Sequence, residues 1–318
     1  MKRKIFSILG IALVAVFAVS CSDDDNSTTD GKGQVSVKMT DAPSDDTAIE
    51  GTFITVSKVK IDGQEVEGFQ KQTFDISAYQ EGETKLLFSD EIDAKSYNSI
   101  SIVLDYETDA EGNSPGCYVL TTDSEKHDLA ASSDAETEIM FNKNFMVENN
   151  QNTDLVIDID LRKSIKHDDE SADTDYSFVS TTELQSSVRL VTEDEASMIQ
   201  GEIENNTASD LEFIVYAYKK GEYNFVSETQ GQGSSNVLFA NAVTSAKVKN
   251  DGTYKLAFLE DGEYEIHIAT YSRSSLNGEM SFTGMAIATS LINSLILDEI
   301  MVSSATDITL DISITVST

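Results

Sequence analysis

Alternation between apolar and polar residues is the feature that most constrains what this chain can fold into. The stretch TDLVIDIDLRKSI, residues 153–165, predicts a strand that turns Asp158 and Asp160 outward and Leu155, Ile157, Ile159 and Leu161 inward. The same period of two recurs in QVSVKMT and SISIVLDYE, and polar turn residues lie between such segments. In FITVSKVKID the alternation breaks near Ser57, which predicts a β-bulge.

Regularly spaced strands with polar turns predict an all-β protein, and a length of 318 residues favours two domains. We therefore expect two antiparallel β-sandwich domains in tandem, immunoglobulin-like or transthyretin-like, over residues 33–193 and 198–318. The charged break TEDEAS, Thr192 to Ser197, lies between them. Apolar residues make up 40% of the chain, which is enough for packed cores.

The first 20 residues have the pattern of a signal peptide. Basic MKRK is followed by the apolar run IFSILGIALVAVFAVS, which ends at a cysteine. The stretch AVSC resembles a bacterial lipobox, with Val19 giving it the relaxed form of Bacteroidota lipoproteins. The resemblance implies cleavage before Cys21, acylation of this residue, and a lipid anchor in the outer membrane. Several acyl chains on one cysteine hold a protein durably, because each buried methylene contributes about 0.8 kcal/mol.

Residues 21–32 predict a disordered acidic tether, because SDDDNSTTDGKG offers no apolar side chain to a core. Its first residues after the cysteine, Ser22, Asp23, Asp24 and Asp25, resemble the surface-export signal of Bacteroidota lipoproteins. This resemblance implies a protein that faces the cell exterior. A simple spacer is the alternative.

The charge balance excludes one class of partner. With 22 basic and 56 acidic residues the formal net charge is −34, which repels nucleic acid. The cysteine count adds that Cys117 has no intramolecular partner if Cys21 is acylated, so we expect no disulfide framework. Cys117 sits at strand spacing in GCYVLTT and is expected to be a buried, inert thiol.

The opening GQVSVKMTDAPSDD and the later pair IDIDLRKSI and LQSSVRLV resemble a bacterial lipoprotein family catalogued as a domain of unknown function, DUF 4382. The resemblance covers roughly residues 33–203 and implies fold and context, since no activity is established for the family. The family's motif turn falls on Thr40, Asp41, Ala42 and Pro43. The usual Trp of the middle segment is missing, and EVEGFQKQTFDIS stands in its place.

Physical chemistry offers two interpretations of the acidic residues in these motifs. Asp41 before Ala-Pro suits a turn in which its carboxylate accepts a backbone N–H two residues on. Asp158 and Asp160, with Arg162 continuing their strand face, predict a surface ion-pair ladder. A calcium site built from Asp41, Asp158 and Asp160 is the alternative, and it needs six or more converging oxygens. Apart from that possible Ca²⁺, we expect neither a metal nor a cofactor.

The second half resembles the transthyretin-like, carboxypeptidase-regulatory-like β-sandwich over roughly residues 198–318. The turns Asn250-Asp251-Gly252 and Glu260-Asp261-Gly262 carry that resemblance, together with Tyr254, Leu259 and Tyr264. It implies a module that stiffens, spaces or binds. The segment TGMAIATSLINSLILDEI is compatible with a strand pair or a short helix.

Sites of chemistry are scarce along the chain. The histidines His127, His167 and His267 are far apart in sequence, His167 in an apparent exposed loop and His267 on an outer strand face. GQGSS lacks the context of a nucleophile elbow. Asp46-Thr47-Ala48 resembles the short Bacteroidota O-glycosylation motif, which makes Thr47 a candidate.

Together these observations predict a non-enzymatic, surface-exposed lipoprotein that acts by binding or structural display. Its partners would be the membrane, through the lipid at Cys21, and an envelope protein or an extracellular glycan or protein. The first alternative is a pilus or adhesin subunit resembling the fimbrillins, in which a strand such as DITLDISITVST completes a neighbour. The remaining alternative is a glycan-active enzyme.

Overall fold

The structure is a computed structural model, and it describes residues 31–44, 46–131, 134–168, 175–205, 211–273, 280–292, 295–304 and 306–316. Cys21 and the acidic residues Ser22, Asp23, Asp24 and Asp25 lie outside these ranges, so the predicted anchor and tether remain predictions. Every helix within the ranges is too short and too polar to cross a membrane.

The first half of the described chain is built almost entirely from strands. They are β1 (Lys32–Ala42), β2 (Ile49–Ile61), β3 (Gln64–Glu65), β4 (Gln72–Asp75), β5 (Lys85–Asp93), β6 (Ser96–Tyr97), β7 (Ile100–Asp105), β8 (Tyr118–Thr121), β9 (Lys126–Asp128), β10 (Glu136–Phe141), β11 (Phe145–Met146), β12 (Asn152–Asp160), β13 (Ile165–Asp168), β14 (Asp175–Phe178) and β15 (Val188–Thr192). Short helices α1 (Leu161–Ser164) and α2 (Thr181–Ser186) and the 3₁₀ turns Ile76–Ala78 and Glu193–Glu195 connect them.

Two sheets of this half pack face to face as a β-sandwich. One has the order β15-β12-β1-β5, and the other has the order β10-β7-β2-β8-β9 with β3 and β4 also on β2. Alternate residues of β1, such as Val35 and Val37, share one core with Ile102 and Leu104 of β7, and all four are at most 1% exposed. The expected all-β sandwich is confirmed here.

The sequence pattern predicts one detail of strand register in this sandwich and misses another. The pairing of β2 with β7 shifts between Val56 and Lys58, so the bulge expected near Ser57 is confirmed. The pairing of β1 with β12 is parallel, with Val37 opposite Leu155, whereas antiparallel sheets were expected. Apolar alternation reports which face a residue takes but not the direction of its neighbour, so the sequence pattern contains no signal for this.

The second half, from Ala196, is again mostly strands. They are β16 (Ala196–Asn205), β17 (Glu212–Lys219), β18 (Thr244–Lys247), β19 (Thr253–Glu260), β20 (Gly262–Arg273), β21 (Met280–Met285), β22 (Ile287–Ser290), β23 (Ile300–Val302), β24 (Ile308–Thr309) and β25 (Ile312–Thr315). Helix α3 (Phe225–Thr229) follows β17.

These strands form a second sandwich. Its sheets have the orders β19-β16-β25-β22, with β24 also on β16, and β18-β17-β20-β21, with β23 also on β20. Between them lies a core that includes Val215, Ile268, Leu256 and Ile312. The segment TGMAIATSLINSLILDEI, for which the sequence left a strand pair or a short helix open, continues β21 and then forms β22. The Asp251-Gly252 turn joins β18 to β19 as expected, with Gly252 at φ +88°.

A layer of aromatic side chains covers the outer face of the β17 and β20 sheet. Phe239, from the loop after α3, stacks on Tyr216 with ring centroids 4.3 Å apart. The hydroxyls of Tyr216 and Tyr271 are 2.7 Å apart, which satisfies both polar tips inside this layer. The same loop meets the first sandwich and so forms one wall of the interface between the two domains.

Candidate functional site at the domain interface

The polar face of β12 is buried against the second domain. Asp158 and Asp160 are each 4% exposed, so the expected surface position of this ladder is wrong. Alternation places them away from the first core, but it does not distinguish solvent from a second domain. The expected ion pairing itself is present. Asp158 meets Arg189 at 2.6 Å, and Asp160 meets Arg162 at 3.0 Å and Lys163 at 3.1 Å.

The cations of this ladder also reach across to the second domain. Arg189 donates to the carbonyl oxygens of Phe258 at 2.5 Å and Ala257 at 3.2 Å, and Lys163 donates to that of Ala242 at 2.9 Å. Each cation therefore neutralises a carboxylate of one domain and satisfies a backbone acceptor of the other.

Arg162 completes this arrangement. Its guanidinium donates to the carbonyl oxygen of Leu238 and lies over the ring of Tyr216, with 5.2 Å between the guanidinium carbon and the ring centroid. We call the set Asp158, Asp160, Arg162, Lys163 and Arg189 the interdomain clamp.

Further polar contacts flank the clamp. Glu183 accepts hydrogen bonds from the hydroxyls of Ser234 at 2.8 Å and Ser235 at 3.0 Å. Burial acts to raise the pKa of Glu183, but the hydrogen bonds from Ser180, Ser234 and Ser235 outweigh it and lower the pKa to about 2. The serines of GQGSS thus hold the second domain to α2, a role that the sequence did not indicate.

The residues of the family motif end β1 rather than forming an exposed turn. The Thr40 hydroxyl lies 2.9 Å from the carbonyl oxygens of both Tyr79 and Glu83. Asp41 accepts a hydrogen bond from the Gln80 side chain at 2.8 Å, so the backbone bond expected two residues on is wrong for Asp41. The motif instead fastens the loop after residue 78 to the strand end.

The expected turn geometry occurs five residues later. Asp46 Oδ1 accepts the backbone N–H of Ala48 at 2.8 Å. Thr47 lies within this turn, and its Oγ1 is buried without a hydrogen-bond partner. Its O-glycosylation therefore stays a prediction, and it requires the turn to open.

A small cavity of about 30 Å³ lies between the motif and the second domain. Its lining includes Asp41 and Asp158 from the first sandwich and Ser245 from the second. Asp41 Oδ1, Asp158 Oδ1 and Ser245 Oγ are all buried without a hydrogen-bond partner. The pKa of Asp41 is raised well above its ordinary value, first by burial and then by repulsion from Asp158 and Asp160, against the lowering effects of the Gln80 side chain and the backbone N–H of Leu161.

The three carboxylates offered as a calcium site do not form one ligand set. Asp160 is held by Arg162 and Lys163, and Asp158 uses one oxygen for Arg189. In the described part of the chain, no three His, Cys, Asp or Glu side chains come together as a metal ion would require.

A larger cleft of about 330 Å³ opens beside the clamp. His167 lies on β13 at this cleft, stacked on Tyr176 with centroids 4.3 Å apart, so its expected position in an exposed loop is wrong. His127 packs on the same tyrosine at 5.1 Å. The Tyr176 hydroxyl donates to Asp46 at 2.9 Å. The pairing of β13 with β14 places His167 opposite Tyr176, and His127, 40 positions earlier in the sequence, packs on the same ring.

The remaining candidates lie away from the interface. Cys117 is fully buried, so the prediction of a buried thiol is confirmed, and burial raises its pKa to about 12. His267 stacks on Tyr223 with centroids 3.7 Å apart, and burial lowers its pKa. Sequence reasoning missed Ser245 and Arg189 as site residues. Arg189 stands opposite Asp158 in register, and that register is the only signal for it.

One family and several solved structures are similar to this chain. Residues 32–179 match the model of the family described as a domain of unknown function (DUF4382), which confirms the resemblance over these residues. A comparison with curated proteins gave no match. The resemblance of the second half to transthyretin-like modules stays a prediction.

Three of the similar structures come from bacteria. A leucine-rich repeat protein of Bacteroides thetaiotaomicron is 12% identical over 90% of this chain and 26% of its own, with a TM-score of 0.21. BcpA, the major pilin subunit of Bacillus cereus, is 10% identical over 90% of this chain and 71% of its own, with a TM-score of 0.21. A candidate cell adhesion protein of Parabacteroides distasonis is 10% identical over 89% of this chain and 98% of its own, with a TM-score of 0.21. Because these identities and TM-scores are low, the assignment of the fold class rests on the sheets observed in this chain.

Proposed function

We propose that this protein is a non-enzymatic, lipid-anchored protein of the outer membrane that faces the cell exterior. It acts there by binding or by structural display, with an envelope protein or an extracellular glycan or protein as its partner. The observation that carries this proposal is the interdomain clamp. It fastens two sandwiches through paired, buried charges that also satisfy backbone carbonyls across the interface, so the two domains present their loops as one unit.

The sequence before the first strand supports the placement. An acylated Cys21 gives durable membrane attachment, and the acidic tether of residues 21–32 separates the folded part from the membrane. The formal charge of −34 favours solubility at a cell surface and disfavours nucleic acid as a partner.

Metabolic labelling with palmitate tests the anchor. We expect the label on the wild-type protein in the outer-membrane fraction, and its loss in Cys21→Ala together with release from that fraction. Cys117→Ala is the matched control, because its thiol is buried and its label should be unchanged. Equal labelling of wild type and Cys21→Ala would contradict the proposal.

A pilus subunit resembling the fimbrillins is the second candidate, and one observation favours it. Strand β25 lies between β16 and β22 and inserts Ile312 and Ile314, both fully buried, into the second core. A strand seated in this way is the kind that a neighbouring copy can supply instead. Ladders of multimers in unheated sample buffer would favour this candidate, and a strict monomer in native envelopes would remove it.

A further inference from the structure

We infer that the 30 Å³ cavity between the domains binds one hard divalent cation, for which Ca²⁺ is the probe, through Asp41 and Asp158 of the first sandwich and Ser245 of the second. This set differs from the three carboxylates considered from sequence, because a hydroxyl of the other domain replaces Asp160. The inference does not depend on the proposed function, since the site would join the domains in any cellular location.

Unused oxygen atoms are the first argument for a bound species. Asp41, Asp158 and Ser245 are each 4% exposed, and each has an oxygen buried without a hydrogen-bond partner. The second oxygen of Asp41 accepts from Gln80, and that of Asp158 accepts from Arg189. Buried polar atoms in folded proteins nearly always have hydrogen-bond partners. Several buried oxygen atoms without such a partner at one cavity therefore indicate a bound ligand that contacts them. Carboxylate and hydroxyl oxygens are ligands of Ca²⁺.

Charge is the second argument. Asp158 and Asp160 both have cationic partners, whereas Asp41 has no ion pair among the described residues. An ionised carboxylate without a counter-ion is costly to bury. A bound cation supplies the missing positive charge, and the formal charge of −34 raises the local concentration of cations around the protein.

The size of the cavity is the third argument. A water molecule needs about 10–15 Å³ of cavity volume, so the 30 Å³ cavity admits one ion with one or two waters. An organic ligand does not fit. The protein oxygens are fewer than the six to eight that Ca²⁺ takes, so waters complete the shell and the affinity is modest, with Kd about 10⁻⁴ to 10⁻³ M.

Asp41 lies among several charged groups of both domains. The other charged groups of the clamp and of the cavity wall are Asp158, Asp160, Arg162, Lys163, Arg189, Glu81, Lys247 and Lys255. Of these groups, Lys247 interacts electrostatically with Glu212 and Arg273 rather than with Asp41.

Calorimetric titration and thermal unfolding of the full-length protein in detergent, after EDTA treatment, test the inference. We expect excess CaCl₂ to raise the Tm by about 2–4 °C. Asp41→Asn and Ser245→Ala should lose most of this shift and the saturable heat. Asp128→Asn, an exposed substitution on β9, removes one surface carboxylate and should retain both.

Two results would overturn the site. One is a wild-type protein with no saturable Ca²⁺ binding, in which case a proton or water alone occupies the cavity. The other is a full Ca²⁺ response in both Asp41→Asn and Ser245→Ala, which would place the binding on surface carboxylates. Ser245→Ala decides the matter if Asp41→Asn fails to fold, since the loss of one hydroxyl leaves the charges of the clamp intact.

Discussion

The carboxyl group of Asp41 is buried at the cavity between the two domains. Its pKa is raised in the folded protein by burial and by repulsion from Asp158 and Asp160. The unfolded chain releases this proton near pH 3.9, and the folded protein releases it at a higher pH. The contribution of Asp41 to stability is therefore complete below about pH 3.9 and is lost as pH rises toward the folded pKa.

This linkage gives a prediction for Asp41→Asn. In the presence of EDTA, the variant should gain stability relative to wild type as the pH rises from about 4 to 7, because Asn has no charge to bury. Urea unfolding at several pH values, read as the difference in free energy of unfolding, measures this. Curves that stay parallel across the range would show that Asp41 keeps an ordinary pKa.

Individual residues were predictable where local chemistry decides their role. Cys117 among apolar neighbours and the Asp251-Gly252 turn needed no tertiary information. Asp41 was not predictable in the same way, since its partner Gln80 lies 39 positions away. Nothing in the sequence predicted a role for Ser245, because a serine near the start of a strand does not indicate that another domain will cover it.

At the scale of elements, strand β12 joins the two domains through its polar face. The main partner of β12 is Arg189 on the neighbouring β15. Arg189 donates hydrogen bonds to Asp158 and to two carbonyl oxygens of the second domain. Removing one member of a buried ion pair leaves the other charged and unpaired, which costs about 3–5 kcal/mol.

We therefore expect Arg189→Met to destabilise the protein by about 3 kcal/mol or more and to expose the domain junction to protease. The double variant Arg189→Met with Asp158→Leu should recover a large part of that loss, because it removes both charges. Chemical unfolding of the two variants beside wild type measures this. A double variant as unstable as the single one would show that the carbonyl contacts, rather than the ion pair, hold the interface.

Strand β25 gives a second prediction at this scale. Ile314→Ala removes a fully buried side chain from the second core and should cost about 2–5 kcal/mol. Thr315→Ala is exposed on the same strand and should change stability by less than about 0.5 kcal/mol. Thermal unfolding compares them, and equal effects would mean that β25 is not seated in the core of its own domain.

Most strands were predictable from alternation, and their ends were less so. Leu161 lies in the first core as expected, at 1% exposure, but the strand itself ends at Asp160 and α1 begins at Leu161. Asp160 accepts the backbone N–H of Lys163 at 3.3 Å and so caps this helix. An aspartate can serve a strand or a helix cap equally well, and the alternation alone favoured the strand.

At the scale of the whole molecule, the two sandwiches were predictable in number and class, but their mutual placement was not. The polar face of β12 looks like a solvent-exposed face in the sequence and is an interface in the structure. We propose that this fastened pair, carried on the anchor and tether of residues 21–32, is displayed outside the cell. Replacing Asp23, Asp24 and Asp25 with Ala should keep the lipid but leave the protein facing the periplasm.

Protease treatment of intact cells tests display at the surface most directly. Wild-type protein should be cut while a periplasmic marker stays intact, and the variant with alanine at positions 23–25 should be protected until the outer membrane is opened. A known surface protein cut in the same sample serves as the control. Wild-type protein that stays whole while this control is cut, and is degraded only after the membrane is opened, would contradict the proposed surface display.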